Sequence, residues 1–195
     1  MFRSTLTSAA IAFAGLLASA SAMAFPIAPV GTEGYSVIVT STNNVIATYE
    51  GNSASYSDNL LLSAPTNGLG IIFNNHTSPV GSTFDLGSFA IGTELVFQLS
   101  VTDTGYTYFT GAAARNPDGM AHARVETGWQ PNTTLVSFED LYNTPEGANG
   151  FNDLSFSFTN VTSVNAVPEP ETWALMLAGL GVVGAMVRRR KANPA

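Results

Sequence analysis

The sequence predicts an all-β protein, with an antiparallel sandwich or jelly-roll ectodomain followed by a single C-terminal transmembrane helix. Between residues 25 and 158, short runs of alternating or β-branched residues are separated by Gly, Asn, Asp and Pro. No part of this region shows the apolar period of about 3.6 residues that marks an amphipathic helix. An uncharged apolar segment over residues 172–187 then precedes four consecutive cations. The body is therefore predicted to consist of strands, and the one helix is predicted near the carboxyl end.

The individual strands follow from these runs. Within residues 94–101, Leu95, Phe97 and Leu99 alternate with their neighbours and share one predicted face. The Ser-Thr-Asn-Asn segment at residues 41–44 predicts a hairpin between the two strands that flank it. Predicted strands cover residues 35–40, 45–50, 69–73, 94–101, 106–110, 121–126, 134–138 and 154–158.

The amino terminus has the pattern of a secretory signal peptide over residues 1–24. A positive charge near the start precedes an apolar stretch that is too short to span a membrane stably. Ala22 and Ala24 form an A-x-A cleavage signature, so we expect the mature chain to begin at Phe25.

Charge is distributed unevenly along the chain. Between residues 25 and 167 there are 12 acidic residues and only two arginines, Arg115 and Arg124, which gives a net charge of −10. Nucleic acid and anionic lipid need a cationic surface, so this body excludes them as partners, whereas cations or neutral glycans fit. The chain has no cysteine, which excludes disulfides, thiolate chemistry and anchoring through a lipobox cysteine.

The carboxyl-terminal region combines three features in a fixed order after a polar linker predicted over residues 159–167. Val167-Pro168-Glu169-Pro170 ends the preceding structure, because neither proline continues a helix or a central strand. The apolar residues 172–187 predict a helix of about 24 Å, which spans most of a bilayer core of about 30 Å. Cations beyond the anchor and an acidic body before it follow the positive-inside pattern. These cations are Arg188, Arg189, Arg190 and Lys191.

This ending, VPEPETWALMLAGLGVVGAMVRRRK, resembles the PEP-CTERM sorting signal of exopolysaccharide-producing Gram-negative bacteria, here occupying residues 168–195. The resemblance implies recognition by an exosortase, a membrane-embedded cysteine transpeptidase. It also implies cleavage near Pro168-Glu169-Pro170 and release or transfer of the ectodomain to the envelope surface. The inner membrane is then a transient partner, and an exopolysaccharide or another envelope glycan is a candidate one.

Two acidic segments, Phe138-Glu-Asp-Leu141 and Phe151-Asn-Asp-Leu154, carry a second resemblance, which covers residues 94–160. This part of the chain resembles a β-rich domain of unknown function that recurs in PEP-CTERM and other exported bacterial proteins. In that domain an aspartate often precedes the (F/Y)NDL element, whereas residues 146–150 here read Glu-Gly-Ala-Asn-Gly. A metal site implied by the resemblance would therefore lack one carboxylate.

The acidic residues of this region form the best candidate binding site, and the candidate ligand is Ca²⁺. Glu139 and Asp140 precede a Gly-containing loop, Asn152 and Asp153 follow it, and Glu146 lies within it. Ca²⁺ takes about six to eight oxygen ligands in a flexible geometry, and burial of the flanking Phe and Leu residues would bring the acids together. The same acids also suit turn formation and strand-end capping, which require no metal.

Three functions compete at this point. The first is a non-enzymatic surface or extracellular-matrix protein that exosortase sorts. The second is a Ca²⁺-dependent module that binds a glycan or a protein at the cell surface, with Trp129 as a sugar-stacking side chain. The third is a hydrolase, which has the least support. No G-x-S-x-G or P-loop motif occurs, and His76 and His122 lack metal-ligand spacing.

Overall fold

The computed structural model describes residues 25–66, 68–143, 150–165 and 176–183. Within them the chain forms eleven β-strands, a short 3₁₀ helix over Ala113–Arg115 and a helical segment over residues 176–183. The strands are β1 Ser36–Val39, β2 Ile46–Gly51, β3 Asp58–Ala64, β4 Ile71–Asn74, β5 Thr83–Asp85, β6 Glu94–Val101, β7 Thr107–Phe109, β8 Ala123–Gln130, β9 Thr133–Phe138, β10 Leu154–Thr159 and β11 Val161–Val164.

The strands form two antiparallel sheets. In the first sheet the order is β11-β1-β6-β3-β4, and β7 also pairs with β6. In the second sheet the order is β5-β2-β10-β9-β8. Strands that are distant in sequence lie side by side, as where Ser36 of β1 pairs with Val164 of β11. The prediction of an all-β, antiparallel body is confirmed.

One apolar cluster draws its members from both sheets and forms the core. Strand β6 alternates between half-buried and buried residues, and its inward face is the one predicted. Phe97 of this face stacks on Phe158 of the second sheet, with ring centroids 4.1 Å apart. Phe73 stacks on Phe156 at 5.9 Å. Full burial of a side chain of this size contributes about 1.5–3 kcal/mol, so the aromatic pairs hold the two sheets together.

The hairpin predicted around residues 41–44 is wrong, because β1 and β2 lie in different sheets. Just after β1, Thr40 N donates to Asn160 O, and just before β2, Val45 N donates to Gly87 O. Each strand therefore takes its partners from distant parts of the chain, and the polar loop carries the chain from one sheet to the other. Alternation of apolar residues sets which face of a strand is buried, but it does not set which strand lies alongside.

The linker predicted over residues 159–167 is wrong in part, because Val161–Val164 forms strand β11 against β1. Val161 is buried, and Thr134 Oγ1 donates to its carbonyl oxygen at 2.8 Å. On the exposed side, Ser163 N donates to Thr127 Oγ1. A Ser- and Thr-rich composition is typical of linkers, but it also suits the last strand of a sheet, where hydroxyl groups bond to neighbouring backbone.

Only part of the predicted carboxyl-terminal segment lies within the described residues. Of the predicted membrane span over residues 172–187, residues 176–183 are described, and they are helical and exposed. No helix among the described residues is long and apolar enough to cross a membrane. The predicted span therefore stays a prediction.

Candidate metal centre

The predicted acidic residues meet at one end of the second sheet, where β9 ends and β10 begins. These strands are antiparallel neighbours, and Phe138 pairs with Leu154 in register. Glu139 and Asp140 follow Phe138, and Asp153 precedes Leu154, so the register places them opposite each other. Phe138 and Leu154 have no exposed surface, so burial of the flanking apolar residues fixes the acids in place, as predicted.

Glu139, Asp140 and Asp153 form a compact group, called here the carboxylate cluster. One oxygen of each residue lies within 4.8 Å of the others, and the three residues are 1%, 3% and 8% exposed. Ca²⁺ binds oxygens at about 2.3–2.6 Å, so two ligands on opposite sides of one ion are about 5 Å apart. The spacing of the carboxylate cluster therefore fits a single Ca²⁺ ion.

Two of these carboxylates also hold the ends of the loop between β9 and β10. Glu139 Oε1 accepts a hydrogen bond from Leu141 N at 3.2 Å, and Oε2 accepts one from Phe151 N at 3.1 Å. Asp153 Oδ2 accepts one from Asp140 N at 2.8 Å. The capping role that the sequence suggested as an alternative is thus present. It is compatible with metal binding, because amide donors fix the orientation of carboxylates that also act as ligands.

A fourth acidic residue, Asp58, reaches the carboxylate cluster from the first sheet. It opens β3, a strand that the sequence did not predict, and it has no exposed surface. Asn75 orients it, because Asp58 N donates to Asn75 Oδ1 at 2.9 Å and Asn75 Nδ2 donates to Asp58 Oδ2 at 3.2 Å. The carboxyl groups of Asp58 and Asp140 lie within hydrogen-bonding range of each other. Among the described residues, Asp58 Oδ1 has no hydrogen-bond donor beside it.

The electrostatics of the carboxylate cluster favour a bound proton or cation. Burial, together with the charges of Asp140 and Asp103, raises the pKa of Asp58 to about 8. Burial also raises the pKa of Asp153, and the charge of Asp140 raises it further. A proton or a cation removes the repulsion between such buried like charges, so either one stabilises the folded state.

A surface cleft of about 480 Å³ opens onto the carboxylate cluster. It is lined by Ser53, Ser55, Tyr56, Asp140, Leu141, Asn152 and Asp153. The structure thus places Asn152 beside the carboxylates, and its amide oxygen and the serine hydroxyls are further hard donors for Ca²⁺. Glu146, the remaining predicted ligand, lies outside the described residues.

His122 supports the backbone of the cluster from inside the fold. It is 1% exposed, and its ring stacks on Tyr108 with centroids 3.7 Å apart. Its Nε2 lies 2.8 Å from Asp118 Oδ2, and its Nδ1 lies 2.9 Å from Glu139 O. Both ring nitrogens face oxygen acceptors, which is the arrangement of a structural histidine that holds Glu139 in position.

The other residues predicted to function in export and sorting lie outside the described part of the chain, with one exception. Phe25, the predicted mature N-terminus, is described and lines a groove together with Trp129. Those outside the described residues are Ala22, Ala24, Val167, Pro168, Glu169, Pro170, Arg188, Arg189, Arg190 and Lys191.

Comparison with known proteins identifies the carboxyl-terminal segment. Residues 166–191 match the family model of the PEP-CTERM protein-sorting motif, which confirms the first resemblance. No curated protein and no solved structure matches the chain. The chain therefore carries a PEP-CTERM sorting motif, the mark of an exported, surface-directed protein that exosortase processes.

Proposed function

We propose that this protein is a non-enzymatic surface or extracellular-matrix protein, sorted by exosortase in an exopolysaccharide-producing bacterium. The sorting motif at residues 166–191 carries the proposal. The acidic body supports it, because a net charge of −10 over residues 25–167 favours the solubility of a surface domain. Glu139 is held by two backbone amides and His122 faces two acceptors, which supports a binding role for these groups over proton transfer.

In this proposal the signal peptide over residues 1–24 directs export and is removed before Phe25. Residues 172–187 then anchor the ectodomain transiently in the inner membrane, with the cations at 188–191 on the cytoplasmic side. Exosortase cleaves near Pro168-Glu169-Pro170 and releases the ectodomain or transfers it to an envelope glycan. Strand β11 ends at Val164, just before this element, so removal of the tail leaves both sheets complete.

Mass spectrometry of the protein from the surface of its native host tests the proposal. We expect an N-terminus at Phe25 and a C-terminus near Pro168, with extra mass if a glycan or carrier is attached. Glu169→Gln should leave the tail uncleaved, whereas the matched variant Glu171→Gln, two residues further on, should be processed normally. A surface-exposed wild-type chain that still ends at Ala195 would contradict sorting by cleavage.

A Ca²⁺-dependent binding module at the cell surface is the second candidate function, and the carboxylate cluster favours it. Three buried carboxylates within 4.8 Å of one another lie beneath an open cleft. The cleft leaves one side of a bound cation accessible, so a sugar hydroxyl or a partner side chain can complete its coordination.

A groove next to the cleft supplies surfaces that suit a glycan. It is lined by Phe25, Pro26, Glu50, Gly51, Asn52, Val80, Trp129 and Gln130. Asn52 lines the groove and Ser53 lines the cleft, so the two recesses share one segment of the chain. Aromatic rings stack on sugar faces, and carboxylate and amide groups bond to hydroxyls, so the groove supports the glycan-binding form of this proposal.

Thermal unfolding of the full chain in detergent tests the second candidate function. At about 100 times its Kd, Ca²⁺ adds about 2.7 kcal/mol to the stability, which raises the Tm by about 5–10 °C in a chain of this size. Asp140→Asn and Asp153→Asn should lose this rise, whereas Glu126→Gln, which removes one charge from β8, should keep it. The absence of any rise in the wild type at millimolar Ca²⁺ would rule this function out, while the sorting proposal would stand.

A further inference from the structure

We infer that Asp58 is a fourth carboxylate ligand of a divalent-cation site and that the bound cation joins the two sheets of the sandwich. This inference rests on the second candidate function. Asp58 belongs to β3 in the first sheet. Glu139 and Asp140 follow β9, and Asp153 precedes β10, both in the second sheet. A cation held by both groups therefore forms a direct link between the sheets at this end of the fold.

The surroundings of Asp58 indicate that a ligand belongs beside it. Its side chain is completely buried, yet Oδ1 has no hydrogen-bond partner among the described residues. Asn75 Nδ2 donates to Oδ2, and the carboxyl groups of Asp58 and Asp140 interact with each other. A buried oxygen without a partner costs about 1–3 kcal/mol, and more when it is charged, so folds rarely keep one without a compensating ligand.

The chemistry of the donors indicates a hard divalent cation, and Ca²⁺ in particular. Glu139, Asp140 and Asp153 offer oxygens that lie within 4.8 Å of one another, and Asp58 adjoins Asp140. The cleft adds Asn152 and serine hydroxyls. With water, this set reaches the six to eight oxygen ligands, roughly, that Ca²⁺ takes in its irregular geometry. The chain has no cysteine, and among the described residues no histidine joins the group of Glu139, Asp140 and Asp153. The group therefore lacks the soft or nitrogen ligands that transition metals prefer.

The position of Asp58 also predicts an unusual response to its removal. Asp58→Asn keeps the shape of the side chain and leaves an oxygen to accept from Asn75 Nδ2, but it removes a group that can ionise. Without a cation the variant should be more stable than the wild type, because a neutral amide replaces an ionisable group that is buried beside Asp140. A bound cation should stabilise the variant less than the wild type, because the variant has lost one ligand. A purely structural aspartate would give the same stability difference with and without the cation.

Tyrosine-sensitised luminescence of Tb³⁺, a probe for Ca²⁺ sites, measures this response, since Tyr56 lines the cleft. In the full chain, Ca²⁺ should displace Tb³⁺, and Asp58→Asn should weaken Ca²⁺ competition by about tenfold or more, as loss of a metal-site residue does. Its Tm in EGTA should exceed that of the wild type. The control Glu126→Gln should match the wild type in both measurements. If Ca²⁺ displaces Tb³⁺ from Asp58→Asn as well as from the wild type, and raises the Tm of both by the same amount, the inference is wrong.

Two further outcomes separate this inference from the function on which it rests. If the wild-type chain binds neither ion, the second candidate function fails and the role of Asp58 fails with it. If Asp58→Asn does not fold, Tb³⁺ lifetimes in H₂O and D₂O count the water on the metal in the unmodified chain. Four carboxylates leave room for at most about four waters out of a total near eight ligands, so a larger number would contradict direct ligation by Asp58.

Discussion

Glu94 and Asp58 each begin a strand of the same sheet, and β6 and β3 are neighbours, yet the two carboxylates have opposite surroundings. Both oxygens of Glu94 accept hydrogen bonds from Arg115, at 2.8 and 2.9 Å, and these bonds lower its pKa. Asp58 is buried beside Asp140, and its pKa is raised to about 8. A carboxylate with an arginine partner is complete within the fold, whereas one among other carboxylates requires a proton or an external cation.

The same contrast extends to the rest of the ectodomain. Its only two arginines, Arg115 and Arg124, pair with Glu94 and Glu33, which are not members of the carboxylate cluster. The charged neighbours that act on Asp58 are themselves carboxylates. Because the body has so few cations, we expect a proton or a metal ion from solution to bind at the carboxylate cluster.

The largest predicted effect is a loss of stability with rising pH when metal is removed by EGTA. The pKa of Asp58 is higher in the folded chain, about 8, than its ordinary 3.8, so the folded state retains a proton that the unfolded state releases. This contribution is complete below about pH 4 and is lost as the pH rises to about 8. At about 1.4 kcal/mol per pKa unit the total change is several kcal/mol.

Denaturant unfolding of the full chain between pH 4 and pH 9 measures this dependence. Saturating Ca²⁺ should flatten it, because the cation takes the place of the proton. Glu94 contributes in the opposite direction, since its lowered pKa adds stability that is lost only as the pH falls below its ordinary value. Stability in EGTA that is constant or increases from pH 5 to pH 8 would show that the carboxylate cluster is not under electrostatic strain.

The second prediction concerns Arg124, which pairs with an acidic residue outside the carboxylate cluster. The guanidinium of Arg124 is nearly buried, bonds Glu33 Oε1 at 2.8 Å and lies 4.3 Å from the centre of the Phe151 ring. Arg124→Met preserves the volume but removes the ion pair and the ring contact. We expect a loss of about 2–3 kcal/mol and a Tm lower by about 5–10 °C, because the change removes both the charge-assisted hydrogen bond to Glu33 and the contact with the Phe151 ring. A Tm within a degree or two of the wild type would mean that this arginine is dispensable for stability.

The sequence predicted those parts of the site that lie close together along the chain and did not predict the part that lies far away. Glu139, Asp140 and Asp153 were predicted to meet because a short loop joins them and apolar residues flank each pair. Asp58 was missed because its neighbours in space come from another sheet, and nothing near it in sequence records that contact. The pairing of Phe138 with Leu154 follows from two strands that are joined by one loop. The approach of Asp58 to the carboxylate cluster depends on the packing of the whole sandwich.

The same limit explains the successes and errors in the fold. Alternation in β6 predicted both the strand and its buried face, since a period of two is a property of the strand itself. The loop at residues 41–44 resembled a hairpin turn, but sheet membership depends on long-range partners that alternation does not specify. The composition of β11 predicts a linker, because the contacts of Thr162 and Ser163 with Thr127 join residues that are far apart in the sequence.

The third prediction replaces a carboxyl group by an amide, once in the carboxylate cluster and once in a pair with arginine. It expects stability changes of opposite sign. In EGTA at neutral pH, Asp153→Asn should stabilise the chain by about 1 kcal/mol, because it replaces a buried carboxyl group whose raised pKa costs stability at that pH. The amide also leaves an oxygen to accept from Asp140 N. Glu94→Gln should destabilise it by about 0.5–1 kcal/mol, because it weakens the pair with Arg115. Changes of the same sign would show that local charge balance does not control stability at these positions.

The smallest predicted effect is that of Arg115→Met. The pair between Arg115 and Glu94 is 32% and 30% exposed, so solvent screens it, and its loss should cost at most about 1 kcal/mol in spite of its two-point geometry. The difference from the wild type should shrink further at about 1 M salt, where the screening length is about 3 Å. The rise in Tm with Ca²⁺ should stay the same as in the wild type, because Glu94 takes no part in the carboxylate cluster. A reduced Ca²⁺ response in this variant would instead show that the paired and unpaired carboxylates of the first sheet are coupled through the contact of β6 with β3.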